Sequence, residues 1–372
     1  MIPINKPWLG AEEKQEVMDI LEENVLTSPA NNGGKRVQEF EVSIKEYINA
    51  KHVIAVNSGT SALHASLLSV GIRPGDEVIL PSFTFVATAN SVMAAGGKPI
   101  FADINKQDYT IDILEIEKKI NKSTKAIIPV HLYGHPSNMN EINSIAREHS
   151  ICVIEDACQS LGSTYFQRQT GTWGDIGCFS FYASKVITTG EGGAIVTDND
   201  DIAEKLKMIR NHGMIHGYDT SSFGLNLRLP ELSAGIGKIQ MTKLDKMLKI
   251  RRNNANILSE GLKKFEQINS IINLPQESTD KKFNWYLFTV SFKDKNHRNL
   301  VKNRLISEGI GATVYYDPPV HKTPYYNNSD TLSDDILPNT IWAWHHALSL
   351  PVHPSVTEND LYKILKIFET CK

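Results

Sequence analysis

His52-Val-Ile-Ala-Val-Asn57, then Ser58-Gly-Thr-Ser61, then Ala62-Leu-His-Ala-Ser-Leu-Leu68 passes from a β-branched run, through a glycine among hydroxyl residues, into a helix-like segment. An apolar run without polar alternation marks a strand covered on both faces, as in a parallel sheet under helices. The same pattern recurs outward from it. Val78–Leu80, Pro99–Asp103, Ala126–His131, Ile151–Glu155, Gly177–Phe181 and Ala194–Thr197 bring the strand candidates to seven. Ser61–Val70, Val86–Ala95, Asn138–His149 and Asp201–Asn211 read as helices between several of them. This alternation predicts an α/β domain with a mostly parallel sheet. Upstream, Glu12–Leu26 reads as a surface helix.

Downstream, Leu232–Phe265 has a helical period and links to a smaller α+β domain, giving an expected division into residues 1–248 and 249–372. In the second part, Phe283–Phe292 alternates as a half-buried strand and Asn299–Glu308 reads as a helix. Gly309–Gly311 forms a turn, Ala312–Tyr316 a strand, and Thr357–Cys371 the closing helix.

The 372 residues carry 39 Lys+Arg and 42 Asp+Glu, a net charge of −3, with 41% hydrophobic residues. Such a balance supports a sizeable core and leaves no electrostatic footprint for nucleic acid or an anionic membrane. Cys152, Cys158, Cys178 and Cys371 fit neither zinc-site nor disulfide spacing, which predicts reduced thiols and a cytoplasmic protein. The N-terminal segment lacks the apolar stretch of a secretory signal. The uncharged stretch Val78–Gly97 is interrupted by Pro81, threonines and Asn90, so no membrane span is expected. His131/His135 and His212/His216 have i,i+4 spacing, but Gly134, Pro136 and Gly213 oppose a helix at either place. Neither pair has a metalloprotease glutamate, so no metal is expected.

Three segments carry chemistry. At Ser58-Gly59-Thr60-Ser61 a helix N-terminus follows a strand, which suits either a phosphate or a simple hydroxyl cap. No Gly-Lys-Ser/Thr follows, and the Gly-x-Gly-x-x-Gly pattern is missing, which counts against an NTPase and a dinucleotide-binding dehydrogenase. Glu155 and Asp156 end a buried strand, where open α/β sheets bind ligands. Lys185 follows another strand and precedes the glycine-rich Val186–Gly193 run. An amine, a carboxylate and a phosphate cradle are the parts that pyridoxal phosphate requires.

With these residues in view, the chain resembles the DegT-type sugar aminotransferases of the aspartate-aminotransferase superfamily. The matching motifs are NSGTSALHASL, GDEVILPSFTFVATANS, VHLYG, IEDACQSLGSTY and FSFYASKVITTGEGGAIVTD, continuing through RNHG, FGLNLRLPEL, YYDPPVH and SLPVHP. The resemblance implies a seven-stranded large domain, a small C-terminal domain and a homodimer with sites at the interface. It assigns Lys185 to the covalent bond with pyridoxal phosphate, Asp156 to the pyridine nitrogen and Gln159 to the region of the phenolic oxygen. Gly59, Thr60 and Ser180 would hold the phosphate, Phe85 would stack on the ring, and Asn226 would reach the other subunit's phosphate. His321 would face the substrate. The implied reaction moves an amino group, with glutamate as donor, onto a nucleotide-linked keto sugar. The VITTGEGG run looks more like the 4-amino group, including GDP-perosamine synthases, so a GDP-linked 4-keto-6-deoxyhexose is expected. The rivals are a 3-aminotransferase, a dehydratase of the same fold that has histidine in place of the lysine, and a non-catalytic sensor.

Overall fold

A computed structural model describes residues 1–215, 217–267, 271–327 and 336–371. The chain opens with α1 (Ala11–Glu23) and α2 (Lys35–Ile48), then β1 (His52–Val56), α3 (Gly59–Ser69), β2 (Glu77–Pro81), α4 (Val86–Ala94) and β3 (Lys98–Ala102). Next come α5 (Ile113–Lys119), β4 (Thr124–Ile127), α6 (Met139–His149), β5 (Cys152–Asp156) and two short strands, β6 (Thr164–Tyr165) and β7 (Arg168–Gln169). β8 (Ile176–Ser180), β9 (Gly193–Thr197) and α7 (Asp200–Arg210) complete the first part. The long α8 (Glu231–Gln267) leads to β10 (Ile271–Asn273), β11 (Lys281–Lys282), β12 (Phe288–Phe292), α9 (Lys295–Ser307), α10 (Pro338–His346), β13 (Ala347–Leu350) and α11 (Glu358–Thr370).

All seven expected strands join one sheet in the order β1-β9-β8-β5-β4-β2-β3. β9 runs antiparallel to both neighbours, and the other pairings are parallel. Alternate residues of a strand face opposite sides, so each strand feeds two cores. Phe179, Ala194 and Val196 pack with Phe40, Ile44 and Leu244 on one face. Cys178 and Ile195 pack with Leu63, Leu67, Leu80 and Val92 on the other. Burial on both faces is the physical reason that these strands read as unbroken apolar runs.

The C-terminal part has its own core around Leu258, Phe288, Val290, Leu350 and Leu361, and a sheet ordered β10-β12-β13. Here the sequence reading needs correction. Phe283–Leu287 is not strand, and β12 starts only at Phe288. Trp285 takes a left-handed backbone, φ 54°, which breaks the expected run. β12 is also buried on both faces, and on its polar side the Thr289 hydroxyl meets that of Ser349 at 2.8 Å. Ala312–Tyr316 keeps a single bridge, Thr313 to Ser349, and then turns. Helix α9 begins four residues before the expected Asn299, because the Asp294 side chain caps the amides of Asn296 and His297. The reading missed α2, although Val37, Phe40, Ile44 and Ile48 form a buried stripe at helical spacing. Helix α8 continues unbroken through residue 248. Among the described residues no helix is long and apolar enough to cross a membrane.

Candidate active site

The cavity that matters lies at the C-terminal ends of β1, β2, β5 and β8. Ser58 caps α3 by accepting the Ser61 amide at 3.0 Å. The first-turn amides of α3 therefore face the cavity as donors with a favourable dipole. Ser180, at the end of β8, closes up against this terminus. A Cβ on Gly59 would lie 2.7 Å from Ser180 Cβ and 2.9 Å from Cys158 Sγ, so only glycine allows the approach.

Strand alternation separates the two carboxylates at the end of β5. Asp156 turns into the cavity, where Thr88 Oγ1 donates to one oxygen at 2.8 Å and the Cys158 amide to the other at 3.2 Å. Glu155 turns away and is fully buried. Its oxygens accept the amides of Gly171, Trp173 and Gly174 at 2.6–2.7 Å. His131 Nδ1 accepts the Ser137 amide at 3.0 Å, so its Nε2 carries the proton and donates to Glu155 at 2.8 Å. That pair is structural, and it accounts for His131 without a metal.

Gln159 is fixed by the same logic. Its Oε1 accepts the Tyr133 amide at 2.8 Å, which assigns Nε2 as the donor to the Tyr316 hydroxyl at 2.8 Å. Burial pushes the Tyr316 phenol well above its usual value, so it stays protonated. Burial, and then the neighbouring Asp156 charge, raise the Cys158 thiol in the same way. That thiol is no nucleophile at neutral pH. Lys185 lies between β8 and β9, and its Nζ sits 4.9 Å from the centre of the Tyr286 ring. Phe85, at the start of α4, is half exposed and leans on Tyr316 with ring centres 5.7 Å apart.

Together these groups enclose a cavity of about 390 Å³. Gly59, Thr60, Phe85, Asp156, Gln159, Ser180 and Lys185 all line it. Asn226 and His321 do not. Asn226 is exposed in the chain preceding α8, with its carbonyl 3.5 Å from the Asn57 side-chain amide. His321 is fully buried, its Nδ1 2.6 Å from Ser82 Oγ just beyond β2. The structure adds Thr88, Tyr286 and Tyr316, which motif reading did not single out. Thr88 carried a weak signal, a hydroxyl on an otherwise apolar first turn of α4. His135 stacks on Phe283 rather than pairing with His131. His216 lies outside the described residues, and among those described no group of three or more potential ligands is placed for a metal.

The donor set fits pyridoxal phosphate. A helix terminus and a serine answer the phosphate, a buried carboxylate answers the pyridine nitrogen, and an amine stands within the same cavity.

Comparison with known proteins agrees with that fit. The sequence pattern of the DegT/DnrJ/EryC1/StrS aminotransferase family matches residues 7–369. GDP-perosamine synthase of Caulobacter vibrioides is 34% identical, covering 98% of this chain and 96% of its own. The dTDP-3-amino-3,4,6-trideoxy-alpha-D-glucose transaminase of Streptomyces venezuelae is also 34% identical, over 95% and 92%. The crystal structure of S. venezuelae DesV superposes with a TM-score of 0.91 at 32% identity, covering 100% of this chain and 99% of that one. The present chain therefore belongs to the DegT/DnrJ/EryC1/StrS aminotransferase family and works as an aminotransferase with pyridoxal phosphate.

Proposed function

We propose that this aminotransferase moves the amino group of glutamate onto C4 of a GDP-linked 4-keto-6-deoxyhexose. The observation that carries the reading is the Val186–Gly193 run, VITTGEGG, which resembles the 4-amino group and brings Glu191 to the cavity wall. The end-to-end likeness to a GDP-perosamine synthase supports it. A 3-keto substrate is the second reading, favoured by equal identity to the S. venezuelae transaminase.

Bound in the cavity, pyridoxal phosphate supplies an electron sink for the carbon that loses or gains a proton. Lys185 binds it covalently and, once released, works as the proton carrier. Its Nζ would take the proton from the α-carbon of the donor, with the electron pair passing into the bound group, and would give that proton up again within the same half-reaction. In the second half-reaction it would likewise deliver a proton to the sugar carbon that receives nitrogen. Asp156 holds positive charge at the pyridine nitrogen, oriented by Thr88. Gln159 offers its remaining N–H toward the phenolic oxygen, since the other is taken by Tyr316. Gly59, Thr60 and Ser180 bind the phosphate, and Phe85 covers the ring face. A substrate-side place for His321 rests on the resemblance alone, because its ring is buried against Ser82 and outside the cavity lining.

The active form in this reading is a homodimer, with Asn226 reaching the phosphate of the other subunit. Tyr218 and Phe223, 98% and 68% exposed on the stretch preceding Asn226, are apolar surface in want of a cover. Four free thiols accord with a cytoplasmic setting.

The test is incubation with glutamate and a panel of 4-keto and 3-keto nucleotide sugars, with the products solved by NMR. Nitrogen at C4 of the GDP-linked sugar is expected. Nitrogen at C3, or preference for another nucleotide, replaces this reading with its rival.

A further inference from the structure

Tyr286 comes from the C-terminal part of the chain, about a hundred residues beyond Lys185, yet its ring forms the floor beneath the lysine amine at 4.9 Å. Among the described residues Nζ makes neither an ion pair nor a hydrogen bond. An aromatic face is negative and attracts an ammonium at this distance, most strongly where water is excluded. Tyr286 is 6% exposed, and its hydroxyl lies 3.3 Å from Ser184 Oγ, which ties the ring to the lysine loop.

The backbone beneath it is unusually constrained. Trp285 has φ 54°, a conformation that bulky residues rarely adopt. Two side chains lock it there. Asn284 Oδ1 accepts the Tyr286 amide at 2.9 Å, while its Nδ2 donates to the carbonyls of Gln159 and Leu161 at 2.8 and 3.0 Å. Buried Arg251 on α8 donates to the carbonyls of Trp285 and Tyr286 at 3.3 and 3.2 Å. A ring fixed this firmly under a free amine is a built contact.

Resting on the reading of Lys185 as the reacting amine, we propose that Tyr286 is a catalytic residue whose ring face holds the Lys185 ammonium while the lysine is detached and carrying the proton. When Nζ takes the proton from the α-carbon of the donor, the new positive charge settles on this face. The face lowers the energy of the proton-loaded lysine and keeps it within the cavity for the delivery step. The charged and titratable groups sharing the cavity are Asp156 at the end of β5, Cys158 just after it, Tyr182 and Glu191 between β8 and β9, and Tyr315 and Tyr316 before His321. None of them makes an ion pair with Nζ.

The test is competitive labelling of the full chain freed of cofactor. Trace acetic anhydride acetylates only neutral amine, and mass spectrometry of the Lys185 peptide reads the extent. At neutral pH, Tyr286→Leu raises Lys185 acetylation by about two- to thirty-fold, the population change that corresponds to a cation–π contact. Tyr286→Phe keeps the wild-type extent, because the face is retained. At a pH where every lysine is neutral the variants label equally, which removes differences of access. Should Tyr286→Leu unfold, fluorinated phenylalanines at 286 keep the shape and weaken the face stepwise, and labelling then rises with fluorination. Borohydride reduction of the cofactor-loaded wild type separates the two levels of failure. Cofactor mass on a residue other than Lys185 overturns the lysine assignment and this inference with it. Cofactor mass on Lys185, with labelling unmoved by loss or fluorination of the ring, overturns the role of Tyr286 alone.

Discussion

Glu155 and Asp156 are adjacent in sequence but face opposite sides of β5, and the chemistry follows the face. Glu155 gathers three loop amides and His131, so removing its charge costs stability while leaving the cavity groups in place. Lys185 and Asp156 line the cavity, and the proposed reaction gives both a part in the chemistry. Replacing Lys185 with alanine removes the amine for both the covalent bond and the proton transfer. The variant is expected to fold with wild-type circular dichroism and to lose turnover by roughly a thousand-fold or more. Near-normal turnover would remove Lys185 from its role. His353 makes a pH prediction. Its Nδ1 accepts the Ser355 amide and its Nε2 donates to the Pro3 carbonyl, so it is buried neutral. Burial lowers its value from 6.5 to about 4. The unfolded chain therefore binds the extra proton first as pH falls. Stability from this group is complete above 6.5 and is lost as pH drops toward 4, by about 2 kcal/mol at pH 5. Buried His135 is lowered in the same direction. Urea midpoints at pH 7 and pH 5 measure the loss, and His353→Asn should shrink it.

At the scale of elements, the site is a junction between the N-terminus of α3 and the ends of β5 and β8. Gly59 is a tight point of that junction, where a Cβ would lie 2.7 Å from Ser180 Cβ. An added methyl in such packing costs about 1–3 kcal/mol. In Gly59→Ala, Ser180 must give way, and cofactor affinity should fall roughly ten- to a hundred-fold while the fold persists. Titration of the cofactor by its absorbance reads this directly; unchanged affinity would take the α3 terminus out of the phosphate site. The Asn284–Trp285–Tyr286 turn shows the reverse case, an element lost to gain a contact. Its apolar spacing reads as strand, but the Asn284 side chain and Arg251 satisfy the backbone groups that a ladder would have used.

The whole molecule presents exposed aromatic surface on the stretch before Asn226, and Asn226 itself stands outside the lining of the chain's own cavity. A composite site predicts complementation. Mixing Lys185→Ala chains with Asn226→Ala chains places both lesions in one site of the heterodimer and neither in the other. Activity should rise toward one working site for each heterodimer formed, as followed by product release after subunit exchange. Exchange without recovered activity would deny Asn226 its cross-subunit role.

The seven strands were legible from the sequence because burial on both faces leaves an unbroken apolar run, a local and one-dimensional mark. That Lys185, Asp156 and Gly59 would share one cavity was legible because each lies at or just beyond the end of a strand, while Ser180 was singled out only through the resemblance. Tyr286, Tyr316 and Thr88 were not legible. The two tyrosines read locally as ordinary core and Thr88 as a lone hydroxyl on an apolar turn, and Tyr286 meets Lys185 only after a long intervening stretch of chain has folded back. The C-terminal strands misread for a related reason, since alternation tells which side chains share a face but not whether the polar face is covered. Local hydrophobic order thus determined the sheet, whereas long-range packing decided what surrounds the Lys185 amine, because side chains distant in sequence acquire a common environment only in the folded chain.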